Sequence, residues 1–238
     1  MRLAILAATG GIGGYLLNGV LGAGHFVQVL ARDPSVLPRH PGLQACQGDA
    51  LDEAAVKELV CGADAVLSAL GPRGARSPGL LARAAQSTVT AMQASGARRL
   101  ICVSAAGAFI TGDPDANAVV KLVLPRVLAR PFADVRQMEG EVRASGLDWT
   151  LVRASRLTRQ PGTGQYPVRP DYPPPGGGKI ARQDVAHFIL AALADGATPR
   201  APRRWRTDGP GQPRWAAMKS RYQPNDAFGV RCCVAKST

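Results

Sequence analysis

The sequence predicts an α/β domain: a doubly wound parallel sheet with helices on both faces, followed by an irregular C-terminal tail. Three observations lead there. An apolar run, Arg2-Leu-Ala-Ile-Leu6, enters a glycine-rich turn, and an apolar stretch at helical spacing opens at Tyr15. Strand-like and helix-like segments then alternate along the chain, the pattern of right-handed crossovers and a parallel sheet. The turns that carry glycine or charge follow strands, so they gather on the sheet edge where folds of this class bind ligands.

The first turn reads Ala7-Ala-Thr-Gly-Gly-Ile-Gly-Gly14. Main-chain N–H groups at the start of the following helix, with the positive end of its dipole, suit a phosphate. Ala8, Thr9, Gly10, Gly11, Ile12 and Gly13 are the expected phosphate-loop residues. Gly10 and Gly13 have the spacing of a dinucleotide fingerprint: one admits a pyrophosphate to the backbone, the other lets helix and strand pack closely. The first glycine of the full pattern falls at Ala7. Alanine resists positive φ, so either the turn needs no such angle there or nucleotide affinity is reduced. Arg2 before an apolar stretch also suits a secretory leader, but glycines interrupt the stretch and no clear cleavage site follows.

The second strand, Phe26 to Ala31, ends in Arg32-Asp33-Pro34-Ser35. This is where a dinucleotide fold meets the adenosine ribose. A carboxylate there favours NAD, whereas an Arg pairs with a 2′-phosphate and favours NADP. Arg32 stands at the expected interval of about 20 residues past the glycine turn, and Pro34 turns Asp33 outward; a solvated loop charge is the other reading of Arg32. Leu43 to Gln47 is a third strand, followed by Gly48, Asp49 and Ala50. Asp49 suits the adenine amino group, and either Asp49 or Asp52 caps the helix that runs to Val60. Ala63 to Leu70 is a fourth strand. Its end, Ala69-Leu70-Gly71, leaves room for a flat ring beside the backbone.

A long Ala-rich helix from Pro78 to Ser95 precedes a fifth strand, Arg99 to Ser104. Helices over Asn117 to Arg130 and Phe132 to Ser145 lead to a sixth strand, Asp148 to Arg153. Gln160 to Gly178 is too rich in Gly and Pro for one regular element and reads as a substrate-side loop, with a short edge strand at Gly164 to Tyr166. The last helix runs from Gln183 to Ala194, and a short strand near Trp205 completes the fold. The domain spans residues 1–207. Residues 208–238 form a basic, poorly ordered tail.

Composition narrows the function classes. The chain has 238 residues, 46% of them hydrophobic and only 5% aromatic, so the core rests on Ala, Leu and Val. No apolar run reaches the roughly 18 residues of a membrane span. Five cysteines without a C-x-x-C pair fit a reducing compartment, hence the cytoplasm. Three scattered histidines give no metal-ligand spacing. The net charge is +12, but from Ala197 onward nine Lys or Arg face only Asp208 and Asp226. The excess therefore lies mostly in the tail and implies no specific nucleic-acid partner. No membrane partner is expected either, and a monomer or weak homo-oligomer is.

Several stretches together resemble the atypical short-chain dehydrogenase/reductase superfamily in its NAD(P)H-binding branch. They are Ala8 to Gly13, Arg32-Asp33, Gly48-Asp49, Val103-Ser104, Ser145 to Thr150 with Val152-Arg153, and Ile180-Ala-Arg-Gln-Asp-Val-Ala186. Asp184-Val-Ala-His187-Phe188 further resembles the flavin reductase/biliverdin-IXβ reductase group. The resemblance implies a Rossmann-like domain using NADPH, with the nicotinamide near Ser104 and Arg153. The chain departs from the family at Ala7, at Ala154 (proline in many relatives) and at Ala105. It has no Tyr-x-x-x-Lys, so an alcohol–ketone reaction lacks its usual proton donor.

Hydride delivery to a conjugated flavin, tetrapyrrole or quinone is less demanding, since the acceptor delocalises charge and solvent supplies the proton. The expected activity is therefore NADPH-dependent reduction of a small planar acceptor. A non-catalytic NAD(P) sensor is the other class. Ser104 is a candidate catalytic residue as donor to the acceptor or to the nicotinamide amide, and Arg153 as partner of a substrate carboxylate. Glu139 and Glu141 read as solvated helix residues, His187 as packing, and Cys232-Cys233 as incidental.

Overall fold

The computed structural model describes residues 1–71, 79–174, 178–196 and 232–236. Six strands run parallel in the order β3 (Leu43–Gln47), β2 (Phe26–Ala31), β1 (Arg2–Leu6), β4 (Ala65–Ser68), β5 (Arg99–Ala105) and β6 (Asp148–Ala154). The chain order reverses between β1 and β4, which opens a crevice at their carboxyl ends. Helix α1 (Gly13–Gly22) and helix α6 (Arg182–Gly196) cover one face; α2 (Glu53–Val60), α3 (Leu80–Ser95) and α5 (Ala129–Ala144) cover the other.

Strand side chains alternate between two cores, as a period of two requires. Leu3 and Ile5 of β1 join Leu16, Val20 and Ile189 on the α1/α6 face. Ala4 and Leu6 join Val56, Leu59 and Met92 on the other. The same alternation separates Ile101 and Val103 from Leu100 and Cys102 in β5.

The first helix of the pair before β6 is α4 (Ala118–Val127), capped by Asn117, whose side-chain oxygen accepts from the Val119 N–H at 2.8 Å. The chain leaves helical geometry at Leu128 (φ −108°, ψ 28°) and α5 begins at once. Pro131 is tolerated there because it falls in the first turn. The Ala-rich helix begins at Leu80; its expected start at Pro78 lies outside the described residues, as does the strand expected near Trp205.

Three further strands follow β6: β7 (Arg156–Thr158), β8 (Val168–Pro170) and β9 (Lys179–Ala181). The edge strand expected at Gly164 to Tyr166 is corrected: these residues are irregular, Gly164 has φ +65°, and the strand is β8. Tyr166 is buried against Phe188 and is used by the core instead. Cys232–Lys236, placed in the irregular tail by sequence, forms β10, which pairs antiparallel with β6 and parallel with β8. Among the described residues no helix is long and apolar enough to cross a membrane.

The loop after β7 is fastened to the start of α6. Buried Asp184 accepts from the N–H groups of Thr163 (3.2 Å) and Gly164 (2.8 Å), and Gln183 Oε1 accepts from Gly162 N–H (2.9 Å). A Cβ at Gly162 would meet Asp184 Oδ1 at 2.7 Å, so a larger residue there would displace that carboxylate. Tyr166 Oη and His187 Nδ1 share a hydrogen bond of 2.6 Å. Burial lowers the His187 pKa below its ordinary 6.5, with Asp184 opposing, and burial likewise lowers that of His25. Burial raises the Asp184 carboxyl above its ordinary 3.8, against the pull of its two backbone donors and His187.

His187 and His25 take up protons at lower pH in the folded chain than in the unfolded chain, which does so as pH falls through about 6.5. Their contribution is complete above that value and is lost as pH falls towards the folded pKa. Asp184 acts oppositely, its contribution being complete only below the unfolded carboxyl's value. The urea midpoint is therefore expected to fall between about pH 7 and pH 5.5. His187→Gln is expected to flatten that fall, leaving the share of His25; an unchanged slope would show that His187 is not the group involved.

Candidate functional site

The crevice holds a cavity of about 550 Å³ walled by the loops after β1 to β6 and by the start of α6. Of the residues singled out by sequence, Thr9, Gly10, Gly11, Ile12, Arg32, Asp49, Ala50, Ala69, Leu70, Gly71 and Ser104 line it. Ala8 and Gly13 do not. Ala8 is buried in the α1/α6 core, and Gly13 begins α1 behind the loop.

The glycine turn is held by a close main-chain approach. Gly10 N–H donates to Ala7 O at 2.9 Å, and an ideal Cβ on Gly13 would fall 2.0 Å from that same oxygen. Gly13 is thus required for helix–strand contact, the role its spacing implies. Ala7 has φ +62°. The turn does need a left-handed residue where the family pattern has glycine, and alanine occupies it with a strain of about 1 kcal/mol.

Arg32 is exposed, lines the cavity and has no side-chain partner among the described residues. Asp33 is turned away, as Pro34 implies. Its Oδ1 accepts from the Ser35 hydroxyl (2.6 Å) and N–H (3.0 Å), bonds that lower its pKa. The two aspartates after β3 divide the roles that sequence left open. Asp52 caps α2, accepting from Ala54 and Ala55 N–H, while Asp49 lines the cavity and accepts from Leu51 N–H.

The expected solvation of Glu139 is corrected. It is 1% exposed, and from α5 its carboxylate reaches Ser104 of β5 and Arg153 of β6. Arg153 binds it in a two-pronged pair, Nε to Oε1 at 2.9 Å and one terminal nitrogen to Oε2 at 2.7 Å. Arg143 adds a bond at 3.0 Å and the Ser104 hydroxyl donates to Oε1 at 2.5 Å. The other terminal nitrogen of Arg153 donates to Asp171 O at 2.8 Å, and its guanidinium stacks 3.7 Å from the Phe109 ring centre.

Arg153 is therefore 5% exposed, off the cavity wall and occupied on each side, so the substrate-carboxylate role expected of it is corrected to a structural one. Ser104 keeps its place on the wall with a fixed polarity. Its proton is committed to Glu139, so it presents lone pairs to the cavity and accepts rather than donates. The buried Cys102 thiol beside it is pushed up to about 12 by desolvation and supplies no thiolate.

Two polar wall residues escaped the sequence reading. Arg182, at the start of α6, lies across the glycine loop: a Cβ on Gly11 would meet its Cδ at 2.6 Å and its Nε at 2.8 Å. It stood in the stretch Ile180 to Ala186, but nothing there showed that the side chain crosses to the first loop. Ser155, one residue past β6, lines the wall with a buried Oγ that has no hydrogen-bond partner among the described residues.

A glycine loop at a βα corner, beside a crevice at the carboxyl edge of a doubly wound parallel sheet, defines a nucleotide-binding Rossmann-like domain. A sequence model of the NAD(P)H-binding family matches residues 7–196, and the chain belongs to that family. The solved structures most like it include a short-chain dehydrogenase/reductase of Veillonella parvula in complex with NADP. That pair is 22% identical with a TM-score of 0.66, over 81% of this chain and 87% of that one. Another is ChuY of Escherichia coli O157:H7, described as an anaerobilin reductase, at 19% identity and TM-score 0.63 over 83% and 92%. Among curated proteins, a Mycobacterium tuberculosis 3β-hydroxysteroid dehydrogenase/Δ5→4-isomerase is 35% identical over 65 residues, which span 27% of this chain and only 18% of that protein.

The residues present fit a dinucleotide: Gly10, Gly11 and Gly71 line the wall without side chains, and Arg32 lines it with no side-chain partner among the described residues.

Two outcomes test this geometry. Ala7→Gly is expected to stabilise the protein by up to about 1 kcal/mol, read from urea unfolding; a loss would contradict the left-handed turn. Glu139→Ala is expected to lose about 3 to 5 kcal/mol by stranding a buried guanidinium, and Glu139→Leu with Arg153→Met to lose much less. Equal losses in the two variants would mean the ion pair is not the cause.

Proposed function

We propose that the protein is an NADPH-dependent reductase that delivers hydride to a small planar conjugated acceptor of the flavin, tetrapyrrole or quinone type. The observation that carries this is the chemistry of the cavity wall. Its ionisable side chains among the described residues are Arg32, Asp49 and Arg182, and its hydroxyls belong to Thr9, Ser104 and Ser155. Arg32 belongs to the ribose end, Arg182 to the glycine loop and Asp49 to the turn after β3. The carboxyl beside Ser104, Glu139, is off the cavity wall and engaged by Arg153, and it holds the Ser104 proton. An acceptor that spreads its own charge and takes its proton from solvent suits such a wall. The reading gains support from ChuY, which is described as an anaerobilin reductase and shares the fold.

NADPH is preferred over NADH in this reading because Arg32 faces the cavity and Asp33 does not. Bound there, a dihydronicotinamide supplies the hydride. The chain's own residues do the rest. Main-chain N–H groups of the glycine loop hold the pyrophosphate from one side and Arg182 closes on it from the other. Arg32 takes the 2′-phosphate. Asp49 takes the adenine amino group. The reading also takes the protein as cytoplasmic, a monomer or weak homo-oligomer.

NADPH oxidation, followed by nicotinamide absorbance with FMN, a quinone or a linear tetrapyrrole, tests the activity. Tight NADPH binding without turnover of any of them would mark a sensor instead. Dissociation constants test the selection. Wild type is expected to prefer NADPH, and Arg32→Ala to lose roughly ten- to hundredfold in NADPH affinity with little change for NADH. Arg182→Ala is expected to weaken both nucleotides alike. Equal losses on removing Arg32 would refute its assignment.

A further inference from the structure

Helix α4 is apolar on nearly every side. Leu124, with Leu128 just past the helix end, packs against the core on the α2/α3/α5 face. Val119, Val120, Leu122, Val123 and Val127 point the other way and are 42 to 72% exposed. None of the ten residues of α4 is buried. The other large apolar side chains exposed among the described residues are Met1, Tyr15, Val36 and Val168, each on a different segment. Single exposed apolar residues are ordinary, whereas a contiguous set marks a contact surface. A helix apolar all round is one that is covered all round.

Charge decides what covers it. Lys121, Arg126 and Arg130 lie in this stretch, and residues 116–133 contain no Asp or Glu. Asp115, just before, is paired with Arg169, and Asp134, just after, accepts from the Leu81 and Ala82 N–H groups. At 3.6 residues per turn Arg126 falls between Val119 and Leu122, inside the apolar face. A second copy set against this face would bring like charges together. The chain's own residues 197–231 carry eight Lys or Arg against two Asp, so they are repelled as well. An anionic lipid surface suits both features. Aliphatic side chains enter the boundary between headgroups and acyl chains, and the cations reach lipid phosphates.

We propose that α4 docks the protein on the surface of an anionic lipid bilayer. Ten helical residues span about 15 Å, too short to cross the hydrocarbon layer, so α4 lies in the headgroup plane. The roughly 18 apolar residues of a span bear on crossing a bilayer, not on lying against one. The position is that of the cavity. β5 ends at Ala105 on the cavity wall, and the 3₁₀ turn Ala106–Gly112 follows. Leu124 packs on that turn, its Cδ2 being 3.4 Å from where a Cβ on Gly107 would stand. α4 therefore belongs to the sheet edge that holds the cavity. The inference is independent of the reductase reading.

Vesicle flotation with the full chain tests it, comparing pure phosphatidylcholine with vesicles one-third phosphatidylglycerol. Wild type is expected to bind the anionic vesicles roughly tenfold or more tightly than the neutral ones. Val123→Gln with Val127→Gln is expected to weaken that binding by roughly tenfold or more. Its melting temperature is expected to stay unchanged, because both side chains are exposed in the free protein. Arg126→Gln is expected to lose about threefold to fivefold on anionic vesicles and nothing on neutral ones. Val119→Gln, on the same face, carries the test should the double variant fold poorly.

Wild type that binds neither vesicle, or both equally, refutes the proposal. Binding that both Gln variants retain in full refutes it too, since the attraction would then lie in the basic residues after Ala197. Sedimentation equilibrium supplies the remaining outcome. A dimer that the double variant abolishes would make a second copy the occupant of this face and overturn the lipid assignment.

Discussion

The site depends on how closely the backbone of α1 approaches the end of β1. Ala7 O receives Gly10 N–H and leaves no room for a side chain at Gly13. That contact brings the helix N-terminus to the sheet edge and turns the loop's main chain toward the crevice, where dipole and N–H groups act together on an anion. The left-handed angle at Ala7 is the local strain this approach entails. The two packed faces of the sheet stabilise the corner and over-determine it.

A second constraint governs the other end of the cavity. Glu139 comes from α5, Ser104 from β5 and Arg153 from β6, and one buried carboxylate ties the three together. Pairs of this kind contribute little net stability against apolar substitutes, because desolvating both charges offsets their attraction. What this one supplies is direction: it fixes where a hydroxyl proton points. The wall near β5 and β6 is thereby specified as a hydrogen-bonding surface rather than as an acid.

Much of this was legible in the sequence. Strands β2 and β3 fall where their apolar runs place them, and the loops after β1 to β5 reach the crevice because α/β connectivity leaves them no other edge. Pro34 announces that Asp33 turns away. Glu139 was misread because its charge outweighed its position. Phe132, Val135, Met138 and Val142 recur at helical spacing, and Glu139 lies on that same buried stripe. A carboxylate on an apolar stripe signals a buried cation, and the partner was Arg153, already singled out for another role. Arg182 and Ser155 were missed for a different reason. Local sequence fixes neither a side chain's reach across to another loop nor a hydroxyl's lack of partners. Tyr166 was lost to the core for the same reason, its neighbours being on α6.

The Glu139 contacts do not end in the interior. Arg143, the third group on that carboxylate, has a side chain 43% exposed, while its partner's is 2% exposed. A chain of direct bonds therefore runs from the outer surface of α5 through a sealed carboxylate to the hydroxyl at Ser104. The polarity of the cavity wall at Ser104 is thus held from a helix face that the cavity does not touch.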